Sequence, residues 1–149
     1  MSHLQPLPRL DDYLCFALHS AAQAVGRANK KVLDKLGLTY PQFLALLVLW
    51  TEDDLTVGQI GDKLFLESST LTPLLKRLEA AGLVRRTRDM ADERQVRVRL
   101  TEQGQALREK AKALKPYWVG ESCGANPDAM RELREKVTAF RDKLMQAEG

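Results

Sequence analysis

Two cysteines are the residues of this 149-residue chain whose side chains could carry out covalent chemistry. Cys15 lies in an apolar stretch with helical spacing, and Cys123 lies in the glycine-rich segment 120–124. A cysteine on an apolar helix is usually a small hydrophobic core residue, and a loop cysteine can be an incidental surface thiol. A thiolate that peroxide oxidises to a sulfenic acid could instead be resolved to a disulfide by a thiol in a flexible loop. The residues alone leave both interpretations open.

The histidine nearest to Cys15 is His19, one helical turn further along the chain. It could supply positive charge beside a thiolate, although a histidine on a helix is more often simply packed and hydrogen-bonded. Two histidines and two distant cysteines offer no cluster of metal ligands. We therefore expect no metal and no cofactor.

A run of arginines is the second group that could do chemistry. Between Leu83 and Leu100 there are six arginines and three acidic residues, so the whole net charge of +3 falls in one short stretch. Such a cluster is typical of a surface that binds DNA phosphates. The six are Arg85, Arg86, Arg88, Arg94, Arg97 and Arg99. Of these, we expect Arg86 and Arg88 to contact the DNA backbone.

Arg94 is flanked by Asp92 and Glu93 at the tip of a predicted hairpin. An arginine held outward by neighbouring acids suits insertion into a narrow minor groove. The alternative is a surface ion pair, worth less than about 1 kcal/mol. We favour the contact with the minor groove.

Two helices in the middle of the chain would position these arginines. Thr56 opens a capping box and a short helix, and a second helix starts near Ser69 because Pro73 is tolerated only near a first turn. The second helix has an apolar stripe that we expect to be buried, formed by Leu71, Leu74, Leu75 and Leu78. Its polar face is expected to contact DNA through Ser68, Ser69, Thr70, Thr72, Lys76 and Arg77.

A hairpin follows these helices. Leu83–Arg88 and Val96–Leu100 are predicted strands, and the second alternates apolar residues with arginines that we expect to point outward. Two helices followed by a basic hairpin are typical of a winged helix–turn–helix, here at about 55–100. The fold class is therefore mainly α with a small β-hairpin.

Helices are also predicted on both sides of this motif. Apolar spacing predicts one from Leu10 to about Lys31, with Gly37 as a stop, and Thr39 caps a strongly apolar helix after it. Later helices begin after Thr101 and after Asn126. Apolar residues of the last helix are spaced alternately by three and four, as in a coiled coil. We interpret 10–36 and 102–147 as dimerisation helices of a single domain, 1–149, that forms a homodimer.

Composition excludes several other classes of protein. Apolar residues make up 44% of the chain and charged residues 29%, which is ordinary for a globular protein and not for a disordered one. No apolar run approaches the roughly 20 residues of a membrane span. The first residues lack a basic region followed by an apolar stretch, so we expect a cytoplasmic protein with no membrane contact.

Three segments carry a resemblance to a known family. They are residues 38–47, 69–79 and 92–98, which read LTYPQFLALL, STLTPLLKRLE and DERQVRV. In these segments the chain resembles the MarR family. From about residue 10 onward it is similar to the organic hydroperoxide resistance regulators of that family (OhrR-like), in their two-cysteine subtype. The first two segments and an N-terminal Leu-Cys-Phe narrow the resemblance to this branch.

The resemblance implies a homodimeric repressor that binds a two-fold-symmetric operator in double-stranded DNA and responds to organic hydroperoxides. It assigns the sensor role to Cys15, whose oxidation product is resolved by the partner subunit's Cys123, and the resulting disulfide releases DNA. It also implies that Asp92 orients Arg94 in the minor groove.

The resemblance further assigns residues around the sensor. Tyr40 corresponds to a tyrosine that contacts the thiolate, and Asn29 stands where these regulators typically carry a second tyrosine. Asparagine can donate a hydrogen bond but cannot close an apolar pocket as a ring does. Phe16 would line the apolar pocket for the hydroperoxide.

Two rival functions remain open at this stage. A MarR regulator could respond to a reversibly bound aromatic ligand, with both cysteines incidental. A thiol peroxidase would leave the basic hairpin without a use, and no arginine-activated cysteine motif is visible. We therefore expect a protein that is not an enzyme.

Overall fold

The computed structural model describes residues 6–114, 124 and 126–148. The chain divides into one unit over 1–116 and a second over 117–149, and the two are described separately. A short 3-10 helix at Leu10–Asp12 opens the first unit. The main elements of that unit are α1 (Leu14–Leu36), α2 (Tyr40–Thr51), β1 (Leu55–Thr56), α3 (Val57–Leu64), α4 (Ser68–Ala80), β2 (Val84–Arg88), β3 (Val96–Leu100) and α5 (Glu102–Leu114). The second unit contains α6 (Pro127–Glu148).

The bounds of α1 differ from the prediction. The helix starts at Leu14 because Tyr13 is extended and separates it from the 3-10 turn. It ends at Leu36, one turn later than expected, because Leu33 and Leu36 continue its buried face into the core. Gly37 terminates it with φ 71°, a left-handed conformation that suits glycine, as predicted.

The caps predicted for α2 and α3 are confirmed. The hydroxyl of Thr39 accepts the backbone N–H of Gln42, whose side chain accepts the N–H of Thr39. Thr56 and Gln59 repeat this reciprocal pair at the start of α3. Each pair satisfies two N–H groups that the first turn of a helix leaves without partners.

The core of the first unit lies between the inner faces of α2 and α4 and the sheet. Leu46, Leu75 and Val98 are fully buried there, and Phe43 packs edge-on against Trp50. The indole N–H of Trp50 donates to the carbonyl of Gly104 at 2.9 Å, which ties α2 to α5. Hydrophobic burial in this shared core therefore holds α4 and the strands in fixed positions relative to each other.

The sheet has three antiparallel strands in the order β1–β3–β2. Arg86 lies opposite Val98, and Leu55 lies opposite Val98 on its other side. The predicted hairpin is present, and β3 has the predicted bounds. The two-residue strand β1 was not predicted, because it exists only through pairing with a strand more than 40 residues away.

Candidate nucleic-acid interface and sensor site

The polar face predicted for α4 is exposed. Its apolar stripe is buried against the core, as expected, and consists of Leu71, Leu74, Leu75 and Leu78. Opposite that stripe Thr72 is half-buried, and the exposed side chains are Ser68, Ser69, Thr70, Lys76 and Arg77. Hydroxyl groups at the start of the helix and cations further along suit contacts with DNA bases and phosphates.

Pro73 lies deeper in α4 than predicted. The helix begins at Ser68, so Pro73 is in the second turn and not the first. Proline has no N–H, and it therefore cannot donate to the carbonyl of Ser69, the normal partner one turn earlier. Because Ser69 is exposed, water can satisfy that carbonyl, and the helix tolerates the proline.

Arg94 projects from the wing, the hairpin formed by β2, β3 and the loop 89–95. Its side chain is 95% exposed, and its guanidinium Nε lies 3.6 Å from Oδ1 of Asp92. The same oxygen accepts the backbone N–H of Arg94 at 3.1 Å. Asp92 thus holds the backbone of Arg94 while the side chain extends into solvent.

A groove brings the start of α4 and the wing together. Its volume is about 340 Å³. Its lining residues come from the start of α3, the start of α4 and the wing, and they are Thr56, Val57, Gly58, Ser68, Thr72, Arg94, Gln95 and Val96. An exposed polar helix beside a projecting arginine defines a winged helix–turn–helix DNA-binding protein.

Besides Arg94, which pairs with Asp92, three of the six arginines in the basic stretch are already paired with acids. Arg86 contacts Glu79, Arg97 contacts Asp54 and Asp89, and Arg99 also contacts Asp54. Arg97, which was expected to point outward, has a side chain only 30% exposed. The charge count in the sequence therefore overstates the positive charge that is available to phosphates. Arg88 is exposed and donates to the carbonyl of Glu93 at 3.3 Å.

The ion pair between Glu79 and Arg86 links α4 to β2. The carboxylate accepts the backbone N–H of Arg86 at 2.9 Å and lies 3.2 Å from its guanidinium. The backbone hydrogen bond, followed by the charged side chain, holds the pKa of Glu79 below its usual value. The interaction thus favours the ionised carboxylate in the folded state.

We expect Glu79→Ala to lower the free energy of unfolding by about 1 kcal/mol at neutral pH, since one charged hydrogen-bond acceptor is lost. The folded pKa is depressed, so this contribution is present above the unfolded value and is lost as pH falls through the folded one. Urea unfolding of both proteins from pH 7 to pH 3 measures the difference. A difference that does not shrink in acid would contradict the assignment.

Cys15 lies in the first turn of α1, because the helix starts at Leu14 and not at Leu10 as predicted. It is the second helical residue, and its thiol is free and exposed. Tyr13, the residue that precedes the helix, lies next to it. A hydrogen bond to Cys15 and the charge of its thiolate raise the pKa of Tyr13. Sequence reasoning missed Tyr13, although its position two residues before Cys15 was visible.

Two of the residues assigned to the sensor, Asn29 and Tyr40, do not lie near Cys15 within one chain. Asn29 is 14 residues further along α1, a distance of about 21 Å. It is buried and donates to the carbonyl of Val25 at 2.9 Å. Tyr40, at the start of α2, packs against the core and stacks on Phe43.

Phe16 and His19 are exposed on the same half of α1 as Cys15. Cys123 lies outside the described residues. Any contact of Asn29 or Tyr40 with Cys15 would therefore have to join two subunits.

Within residues 6–114, 124 and 126–148, no single helix is both long and apolar enough to cross a membrane. Only α1 and α2 taken together reach that length and composition, and they are bent by 70°.

Known proteins resemble this chain over most of its length. The family described as transcriptional regulator SarA/Rot matches residues 27–111. The HTH-type transcriptional regulator TtmR of Methylorubrum extorquens is 53% identical over 135 residues, which cover 91% of this chain and 69% of that protein. The organic hydroperoxide resistance transcriptional regulator of Bacillus subtilis is 41% identical over 138 residues and 93% of each protein.

A solved structure agrees with these relatives. Overoxidised AbfR bound to DNA matches with a TM-score of 0.76 and 37% identity, over 91% of this chain and 95% of that one. The chain belongs to the SarA/Rot family of transcriptional regulators, within the MarR-type winged helix–turn–helix proteins. The family resemblance and the fold class expected from the sequence are thus confirmed.

Proposed function

We propose that this chain is a cytoplasmic, homodimeric repressor that releases DNA when an organic hydroperoxide oxidises Cys15. The observation that carries the proposal is an exposed thiol in the first turn of α1, in a chain 41% identical to an organic hydroperoxide regulator. The thiolate is the form of cysteine that attacks peroxides, and an exposed thiol is accessible to them.

DNA binding would use the interface described above. In a dimer the two α4 helices would enter successive major grooves about 34 Å apart. The hydroxyl groups at the start of α4 would meet bases and phosphates, while Lys76 and Arg77 would meet phosphates. Arg94 would enter the adjacent minor groove, with Arg88 on the backbone. Arg86 would contribute less, because Glu79 already neutralises it.

A second copy of the chain would cover apolar surface that each unit leaves open. In the described part of α1, no residue before Asn29 is buried. The apolar stripe of α6 is exposed or half-buried and consists of Met130, Leu133, Val137, Phe140 and Leu144. Both features support dimerisation through the terminal helices, since exposed apolar stripes of this length bind partner helices.

The redox step is balanced in atoms and electrons. The Cys15 thiolate attacks the terminal oxygen of the hydroperoxide, the O–O bond breaks, and the alkoxide that leaves takes a proton from solvent to become the alcohol. Cys15 becomes a sulfenic acid. The partner subunit's Cys123 then attacks its sulfur, a disulfide forms, and water is lost. A thiol reductant restores the reduced form by exchange.

The disulfide would tie the start of α1 to the segment before the partner's α6. We propose that this moves the two winged motifs to a separation that no longer fits successive major grooves. The DNA is then released because the two winged motifs no longer match the groove spacing, although the charge of the interface is unchanged.

The proposal is tested by measuring binding before and after oxidation. The probe is a labelled duplex that the wild-type protein selects from a random-sequence library, and the oxidant is cumene hydroperoxide. We expect affinity to fall, a disulfide-linked dimer to appear on non-reducing gels, and a thiol to reverse both. In Cys123→Ser the linked dimer should be absent.

Affinity that is insensitive to peroxide would contradict the proposal. If an aromatic acid released the DNA in that case, the protein would be a reversible ligand sensor. Turnover of peroxide with excess thiol would instead indicate a thiol peroxidase.

A further inference from the structure

The loop between α2 and β1 is attached to the wing by two adjacent aspartates. Oδ1 of Asp54 lies 3.0 Å from Nε of Arg97 and 2.9 Å from Nε of Arg99. Oδ1 of Asp53 accepts the backbone N–H of Leu100 at 3.0 Å. Both acids therefore bind β3, the central strand of the sheet, from outside it.

Arg97 extends this attachment to the tip of the wing. Its Nη1 lies 3.1 Å from Oδ2 of Asp89, a carboxylate only 13% exposed. The other oxygen of Asp89 accepts the N–H groups of Ala91, at 2.7 Å, and of Asp92, at 3.1 Å. Asp92 in turn accepts the N–H of Arg94. Contacts thus run without a break from the α2–β1 loop to Arg94.

Attraction to DNA cannot explain the positions of Asp54 and Asp89. A carboxylate in the wing or beside it repels phosphates, so Asp89 and Asp54 weaken binding if charge is their only effect. Asp54 also has φ 57°, a left-handed conformation that is uncommon for residues other than glycine. Hydrogen bonds from the two arginines, and from the loop around Asp89, hold the pKa values of both acids below their usual range. Both carboxylates are therefore charged when the protein binds DNA.

We infer that Arg97, bridging Asp54 and Asp89, is a positioning residue that fixes the wing so that Arg94 meets DNA. The inference rests on the proposed contact of the wing with DNA. Arg97 does not touch the DNA in this arrangement. It holds the hairpin at one angle to α4, and the groove between them keeps its width.

Asp54→Asn separates positioning from electrostatics, because the two effects have opposite signs. Loss of a negative charge alone tightens binding to the selected duplex. Loss of positioning weakens it, by about 2- to 30-fold, the usual range for residues that act through others. Fluorescence anisotropy with the selected duplex measures the change. Glu52→Gln is the matched control, since Glu52 lies in the same loop and pairs with Lys63 of α3 at 3.7 Å and not with the wing.

A second variant, together with melting temperatures, distinguishes a loss of positioning from misfolding. Arg97→Lys keeps the positive charge but loses the planar fork that reaches both aspartates, so it should weaken binding to a similar extent. Melting temperatures of all variants identify any that are unfolded. Tighter or unchanged binding of both Asp54→Asn and Arg97→Lys would overturn the inference.

A double-mutant cycle distinguishes this inference from the proposed function. Arg94→Ala should weaken binding by roughly 5- to 150-fold if the arginine makes a specific contact. In the Arg94→Ala background, Arg97→Lys should cause no further loss of affinity for the duplex. General damage to the wing would instead cause an additional loss. If the two losses of affinity are additive, Arg97 does not position Arg94, although the contact of Arg94 with DNA remains supported. If Arg94→Ala binds normally, the wing contact fails and the inference fails with it.

Discussion

A Cys15→Ser variant is expected to bind DNA with wild-type affinity and to lose its response to organic hydroperoxide. The thiol is exposed, so serine removes no core packing and should leave the fold intact. A hydroxyl at the same position is not oxidised by peroxide, and no disulfide can form through it. The wild type should lose roughly 5- to 150-fold in affinity on oxidation, the usual range for coupling between two sites.

The measurement is a titration of the selected duplex with each protein, before and after treatment with cumene hydroperoxide. Cys123→Ser is the matched control, because it also removes one thiol but should leave Cys15 able to form a sulfenic acid. Trapping with a dimedone-type reagent should label Cys123→Ser and not Cys15→Ser. If Cys15→Ser dissociates from DNA as the wild type does, the sensor lies elsewhere.

Gly104→Ala is expected to lower the free energy of unfolding by about 3 kcal/mol. Gly104 is buried near the start of α5, and an added Cβ would overlap the backbone carbonyl of Leu83. It would also lie 3.2 Å from the Leu100 side chain. To relieve the overlap, α5 must move away from the turn before β2, and the carbonyl of Gly104 would then lose its bond from Trp50.

Thermal unfolding at one fixed protein concentration measures this effect. A loss of that size corresponds to roughly 10 °C in a domain of this length. Gly58→Ala is the control, because the new Cβ there meets only the hydroxyl of Thr56 at 3.9 Å, an ordinary contact. Alanine should be neutral or slightly stabilising at that helical position. A Gly104→Ala protein that melts as high as Gly58→Ala would mean that α5 does not pack as closely as described.

Local features of the fold were predictable because they depend on residues three or four apart. The cap at Thr39, the capping box at Thr56 and the buried stripe of α4 are contacts of this kind, and all were found where expected. The alternation in Val96–Leu100 predicted the bounds of β3. The candidate DNA residues on α4 followed from the same pattern, since an exposed face is what an amphipathic helix leaves open. Arg94 followed instead from its place between two acids at the tip of the predicted hairpin.

Features that depend on distant partners were not predictable. Tyr40 and Asn29 were grouped with Cys15 by resemblance, yet the length of α1 separates them from it within one chain. β1 has two residues and no periodicity of its own to detect.

Cys15 and the basic hairpin each have properties that the sequence determines and others that depend on the tertiary structure. The sequence determined that a thiol lies on an apolar helix and that the net positive charge falls on one hairpin. Only the tertiary structure decided that the thiol is exposed in the first turn, beside Tyr13, and that Arg86, Arg97 and Arg99 are paired with acids. Asp54 and Arg97 are 43 residues apart, and they meet only because the packed core closes β1 onto β3. Charge and periodicity are properties of a segment, whereas the pairing of a charge depends on the fold of the whole unit.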